Sequence, residues 1–163
     1  MAVPPGFARD VKLRGKEEIR FAPGMFDHTK PDYFTCIIAI TLDDERELAA
    51  ADLQDFLEKY YGGLSLAVGA RKGFTTDPAK MKAVVTPAVP DQAERFTAEI
   101  GFFDPFTDGR HITLHVEASQ HRVPATKANG VILLVSPSAK DSEIWTNLRQ
   151  IGRSAEANLA LPK

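Results

Sequence analysis

The sequence predicts an α+β domain on a mainly antiparallel sheet, with elements in the order β-α-β-β-β-β-α. Three observations carry this. Phe96–Phe102 and Ile112–Ala118 alternate apolar with polar residues, the period-two mark of strands with one buried face. Phe34–Leu42 and Val131–Val135 are apolar on both faces or nearly so, which requires cover on both sides of a sheet. Two other segments repeat apolar residues at three- and four-residue spacing and supply two helices for that cover. Clustered strands with segregated helices lead to an α/β/α sandwich. The alternative is a curved sheet wrapped around the first helix.

The elements follow in order. Residues 1–16 begin Met1-Ala2-Val3-Pro4-Pro5-Gly6 and turn charged, and are expected to form an arm laid on the surface of a single 1–163 domain. Ile19-Arg20-Phe21 is a short edge strand stopped by Pro23-Gly24. Phe34–Leu42 follows, and Asp43-Asp44-Glu45 opens a helix over 44–69, its acidic residues where the helix dipole favours them. Ala49, Leu53, Phe56, Leu57, Tyr60, Leu64, Ala67 and Val68 form its buried stripe. Gly62-Gly63 is expected to kink or interrupt it, and Gly69 and Gly73 mark its latest stop. Met81–Thr86 is a strand bounded by Pro87 and Pro90, which place it at a sheet edge. The hairpin pair is joined by Asp104-Pro105-Phe106-Thr107-Asp108-Gly109, which carries turn chemistry. A tight hairpin sets Arg95 opposite Glu117; a slip of two sets Glu99 opposite His115. Val131–Val135 is a central strand. Ser138, with Asp141 three residues on, is expected to cap a last helix whose stripe is Ile144, Trp145, Leu148, Ile151 and Ala155.

The buried strand Val131–Val135, the Ser/Pro break and Ile144-Trp145-x-x-Leu148 together resemble the close of Mog1/PsbP-like domains. That resemblance spans about 30 residues and implies an α/β/α sandwich with a non-catalytic accessory role. It assigns no functional residue. The alternative curved sheet would be of the cystatin/NTF2-like kind.

The net charge of -2 and pI near 6.1 argue against a nucleic-acid partner. No apolar run is long enough for a membrane span. The lone Cys36 permits no intrachain disulfide and sits in an apolar run, where an inert thiol is the default. The start shows no signal peptide; the expectation is a trimmed, exported chain, periplasmic before cytoplasmic, and a native start at Met1 would overturn it.

The chemistry-bearing residues have structural explanations beside functional ones. His111, His115 and His121 share the polar face of one strand, but His111 and His115 stand roughly 13 Å apart at strand spacing, too far for one metal ion. Asp104 and Asp108 flank a turn that lacks the ligand count for calcium. There is no Gly-x-Ser-x-Gly elbow and no phosphate-cradling glycine loop after a strand. No metal and no cofactor is expected. Asp27-His28 with nearby Asp32 and Tyr33 is the best acid/base grouping, because the apolar Phe21–Phe26 segment before it is suited to line a cleft. Asp27, His28, Tyr33 and Tyr60 are the candidate ligand-binding residues. The first functional expectation is a non-enzymatic binding or accessory domain with a protein partner. The second is a small enzyme or small-ligand binder with a pocket between the 44–69 helix and the sheet.

Overall fold

A computed structural model describes residues 1–88, 95–123 and 128–160, the side chains of 158–160 aside. Pro90 lies outside the described residues. Seven strands, β1 (Ala2–Val3), β2 (Gly15–Phe21), β3 (Cys36–Leu42), β4 (Ala83–Pro87), β5 (Arg95–Phe103), β6 (His111–Arg122) and β7 (Asn129–Ser136), form one sheet in the order β1-β2-β3-β7-β6-β5-β4. Every pairing is antiparallel. Helices α1 (Ala50–Lys72) and α2 (Glu143–Ala160) cover opposite faces. The fold is the expected α+β sandwich. β7 is the central strand and is buried along its whole length, as its unbroken apolar run requires.

The two faces bury unequal cores. Ile38, Ile40, Leu114, Val116, Leu133 and Val135 meet Leu53, Phe56, Leu57 and Tyr61 of α1 in the large core. Ile37, Ile132 and Leu134 meet Trp145 and Leu148 of α2 in the small one. The Trp145 ring is fully buried, and its Nε1–H donates to the Ser138 carbonyl at 2.9 Å.

Several boundaries differ from the sequence reading, each for a physical reason. α1 begins at Ala50, because residues 44–48 are held against the ends of β6 and β7 by side chains. The Gln120 amide bonds both the N–H (2.8 Å) and the C=O (3.0 Å) of Leu48. Asn129 donates to the carbonyls of Asp44 and Arg46. The helix then starts with the Asp52 carboxylate accepting from the Ala49 N–H at 3.0 Å. Gly62-Gly63 does not break it. α1 runs through to Gly73, whose φ of 79° closes it in the left-handed conformation glycine favours. Gly63 instead permits close approach: a Cβ there would lie 2.2 Å from the Phe7 carbonyl oxygen.

Within residues 1–16, the expected surface arm, Val3, Ala8, Val11 and Leu13 are buried. β3 starts at Cys36 because Phe34, at φ 47°, stands in a conformation that bulky residues rarely adopt. Its ring is wedged against Phe102 and Phe106 at 4.9 and 5.8 Å, and its N–H donates to the Met25 carbonyl. Ser138 does not cap α2, since its hydroxyl donates to the Pro31 carbonyl and the helix begins at Glu143. Ile151, expected in the buried stripe, is 53% exposed. The hairpin takes the slipped register, with Glu99 opposite His115 and Arg95 opposite Ser119.

Candidate functional site

An apolar pocket of about 190 Å³ opens between α1 and the β2–β3 side of the sheet. β2 and β3 present Ile19, Phe21, Cys36 and Ile38 to it, while α1 presents Tyr60, Tyr61 and Leu64. The remaining walls come from loops. Residues 22–35 close back on β3 through Ala22 N–H to Thr35 C=O at 2.9 Å. The Asp32 carboxylate accepts from the Gly24 N–H at 2.9 Å and keeps that loop tight. This brings Met25 and Phe26 to the pocket. Phe106 enters from the β5–β6 turn and Phe7 from the N-terminal segment.

The rings form a connected chain. Phe21 and Phe26 stand 5.7 Å apart, Phe26 and Phe106 5.5 Å, and Phe7 and Tyr60 5.1 Å, all within the range of favourable aromatic pairs. Phe21 and Phe26 are each 54% exposed, so they form a rim open to solvent.

The polar groups around the pocket are not poised for chemistry. Burial pushes the Cys36 thiol up to about 12 and raises the Tyr60 and Tyr61 phenols well above their usual range, so all three hold their protons at neutral pH. Tyr60 donates to Glu17 Oε2 at 3.1 Å. Glu17 is itself buried, which raises its carboxyl, while the Tyr60 bond and the chain's amino group pull the other way.

Of the four candidate residues, only Tyr60 lies on this pocket. Asp27 is exposed, and its carboxylate accepts the backbone N–H and the hydroxyl of Thr29, which lowers it below the usual carboxylate range. His28 is exposed beside it. Tyr33 points into the structure: its hydroxyl donates to the fully buried Asp104, and burial first, then this partner, pushes it up to about 12. Asp104 also accepts the Phe106 N–H at 2.8 Å and the Thr107 hydroxyl at 2.6 Å. The acid/base grouping is thus an exposed turn plus a structural clamp between two loops. The histidines are separate too. His111 packs its ring on Phe103, His115 faces Glu99 at 3.4 Å and His121 faces Glu156 at 3.2 Å.

A larger groove of about 390 Å³ lies between α2 and the outer face of β5 and β6. Its carboxylates are already engaged, Glu117 by Arg149 at 2.6 Å and Glu156 by the Ser119 hydroxyl at 2.6 Å. The aromatic pocket is the better candidate because its lining is almost wholly apolar and its rim rings, Phe21 and Phe26, are exposed to solvent.

The apolar Phe21–Phe26 segment was legible in the sequence as a cleft wall. Phe7 and Phe106 were not, since they sit in loops where no periodicity places a ring. Comparison with protein-family models, curated proteins and solved structures finds no match for the chain.

Proposed function

We propose that this chain is a non-enzymatic binding domain that holds one apolar group of a partner in the aromatic pocket. The observation that carries this reading is an apolar cavity of about 190 Å³ whose mouth is framed by exposed Phe21 and Phe26. Size selects the occupant. A dry apolar cavity of roughly 150 Å³ accepts benzene, whereas sites for drug-sized ligands start near roughly 300 Å³. The pocket therefore suits a single ring or a branched alkyl group, such as one side chain of a protein. The polar groups beside it are protonated phenols, a buried thiol and a buried carboxyl, which favours binding over catalysis. An accessory role of this kind is also what the Mog1/PsbP-like resemblance implies.

The test is a titration with toluene followed by NMR. The methyl signals of Ile19, Ile38 and Leu64 are expected to shift together, with a rise in melting temperature. Leu64→Trp, which fills the cavity, is expected to abolish both responses. No shift at the aqueous solubility limit of toluene would overturn the reading.

A further inference from the structure

Burying one apolar side chain falls short of the free energy that even millimolar affinity needs. A partner anchored in this pocket must make other contacts, and the edge of the sheet offers them.

The Glu17 N–H donates to the Met1 carbonyl at 2.8 Å, and the Glu17 carbonyl accepts from the Met1 amino group at 2.5 Å. Glu17 therefore turns both backbone groups away from β3. Alternate residues of an antiparallel strand turn theirs to the same side, so Ile19 and Phe21 do likewise. The inward bond from Ala22 N–H to Thr35 C=O fits this alternation. β1 pairs with Gly15 and Lys16, and Met1 lies opposite Glu17. The backbone N–H and C=O of Ile19 and Phe21 meet no partner among the described residues.

The opposite edge of the sheet is guarded at two of its three outward positions. On β4 the outward positions are Ala83, Val85 and Pro87. The Ala83 N–H donates to the Glu58 carboxylate at 3.1 Å, and Pro87 has no N–H. Such blunting is how sheet edges avoid unwanted pairing. The β2 edge lacks it, and its unpaired residues are two that line the pocket.

We infer that the Ile19–Phe21 edge docks an extended segment of a partner protein, which continues the line of β1 and seats one apolar side chain in the pocket. This rests on the pocket reading and adds the class of partner. Unpaired amides and carbonyls at alternate residues call for an extended backbone, the mode of strand addition. Residues directly opposite on neighbouring strands bring their Cβ atoms within about 5 Å, so a side chain opposite Ile19 or Phe21 stands over the pocket mouth. On the other face Glu18 and Arg20 are exposed and paired at 2.9 Å, so the segment's alternate positions are small and polar.

The experiment uses the untagged chain and an acetylated, amidated peptide alternating threonine with leucine. Amide exchange is read residue by residue. At peptide concentrations ten times its dissociation constant, exchange at Ile19 and Phe21 is expected to slow by about tenfold. The same peptide N-methylated along its pairing edge is expected to give no slowing. A variant with Thr-Leu-Thr-Leu added before Met1 is expected to fill the edge from within and to stop binding the free peptide. Unchanged exchange at millimolar peptide, or equal binding of the N-methylated peptide, overturns the inference. Toluene separates the two readings: pocket shifts with toluene but no protection by peptide leave the pocket standing and remove the docking edge.

Discussion

The Tyr60 hydroxyl donates to the Glu17 carboxylate across 3.1 Å and so ties α1 to β2 inside the large core. The other carboxylate oxygen of Glu17 is buried with no hydrogen-bond partner among the described residues. Burial disfavours the charged form of a carboxylate, and it raises this carboxyl above its ordinary 4.5.

A pH prediction follows. The folded state holds this proton more tightly than the unfolded chain. Its stabilising contribution is full below about pH 4.5, the unfolded value, and is lost as pH rises through the higher folded value. Glu17→Gln keeps an acceptor for Tyr60 and removes the charge. In urea unfolding across this range the variant is expected to lose less stability than the parent as pH rises. Parallel curves would show that Glu17 does not titrate in the folded state as described.

Two adjacent glycines are expected to respond oppositely to alanine. At Gly62 a Cβ would lie 3.4 Å from the Pro78 side chain, in ordinary contact. Gly62→Ala therefore gains helix propensity, about 0.5–1 kcal/mol. At Gly63 the Cβ would lie 2.2 Å from the Phe7 carbonyl oxygen, which forces the N-terminal segment off α1 and costs about 1–3 kcal/mol. Thermal melts of the two variants check this; equal shifts would refute the crossing geometry.

That pair also shows what the sequence could and could not disclose. Alternation in β5 and β6, the unbroken run of β7 and the stripes of both helices are local signals, and the fold class follows from them. Gly62-Gly63 reads locally as a helix breaker, because its reason is a distant segment crossing over it. Residues 44–48 read locally as a helix start, because Gln120 and Asn129, which hold them outside the helix, are far along the chain. The site divides in the same way. Phe21 and Phe26 are close in sequence and mark a cleft wall, and Tyr60 is visible on the α1 stripe. Phe7, Phe106 and Glu17 join the pocket region only through tertiary packing. Asp27-His28 reads as chemical because an acid and a base follow the apolar Phe21–Phe26 segment, yet both residues are exposed.

Tyr33 is expected to matter for stability and not for binding. Its hydroxyl shares Asp104 with Thr107 and the Phe106 N–H, clamping the 22–35 loop to the β5–β6 turn. Tyr33→Phe leaves the buried carboxylate two of its donors and removes a charge-assisted bond, a loss of about 1.5–3 kcal/mol. Toluene is expected to produce the same chemical-shift changes in this variant as in the parent. A variant of parental stability would show that the clamp contributes nothing.

Phe26 and Phe34 both touch Phe106, yet they should behave differently. Phe34 is 1% exposed and meets Phe102 as well. Phe34→Ala opens a core cavity and is expected to lose about 3–5 kcal/mol. Phe26 is 54% exposed and pairs with the rings of Phe21 and Phe106. Truncating a half-exposed side chain removes little buried area, so Phe26→Ala is expected to cost about 1 kcal/mol or less. It also takes away one side of the pocket mouth, and the response to toluene should weaken severalfold while the melt stays nearly parental. If Phe26→Ala instead destabilises the chain as strongly as Phe34→Ala, Phe26 belongs to the core and the pocket has no open rim. If it leaves toluene binding untouched, the mouth lies elsewhere, and the side chain of a docked strand would have to enter past Met1 or Phe7.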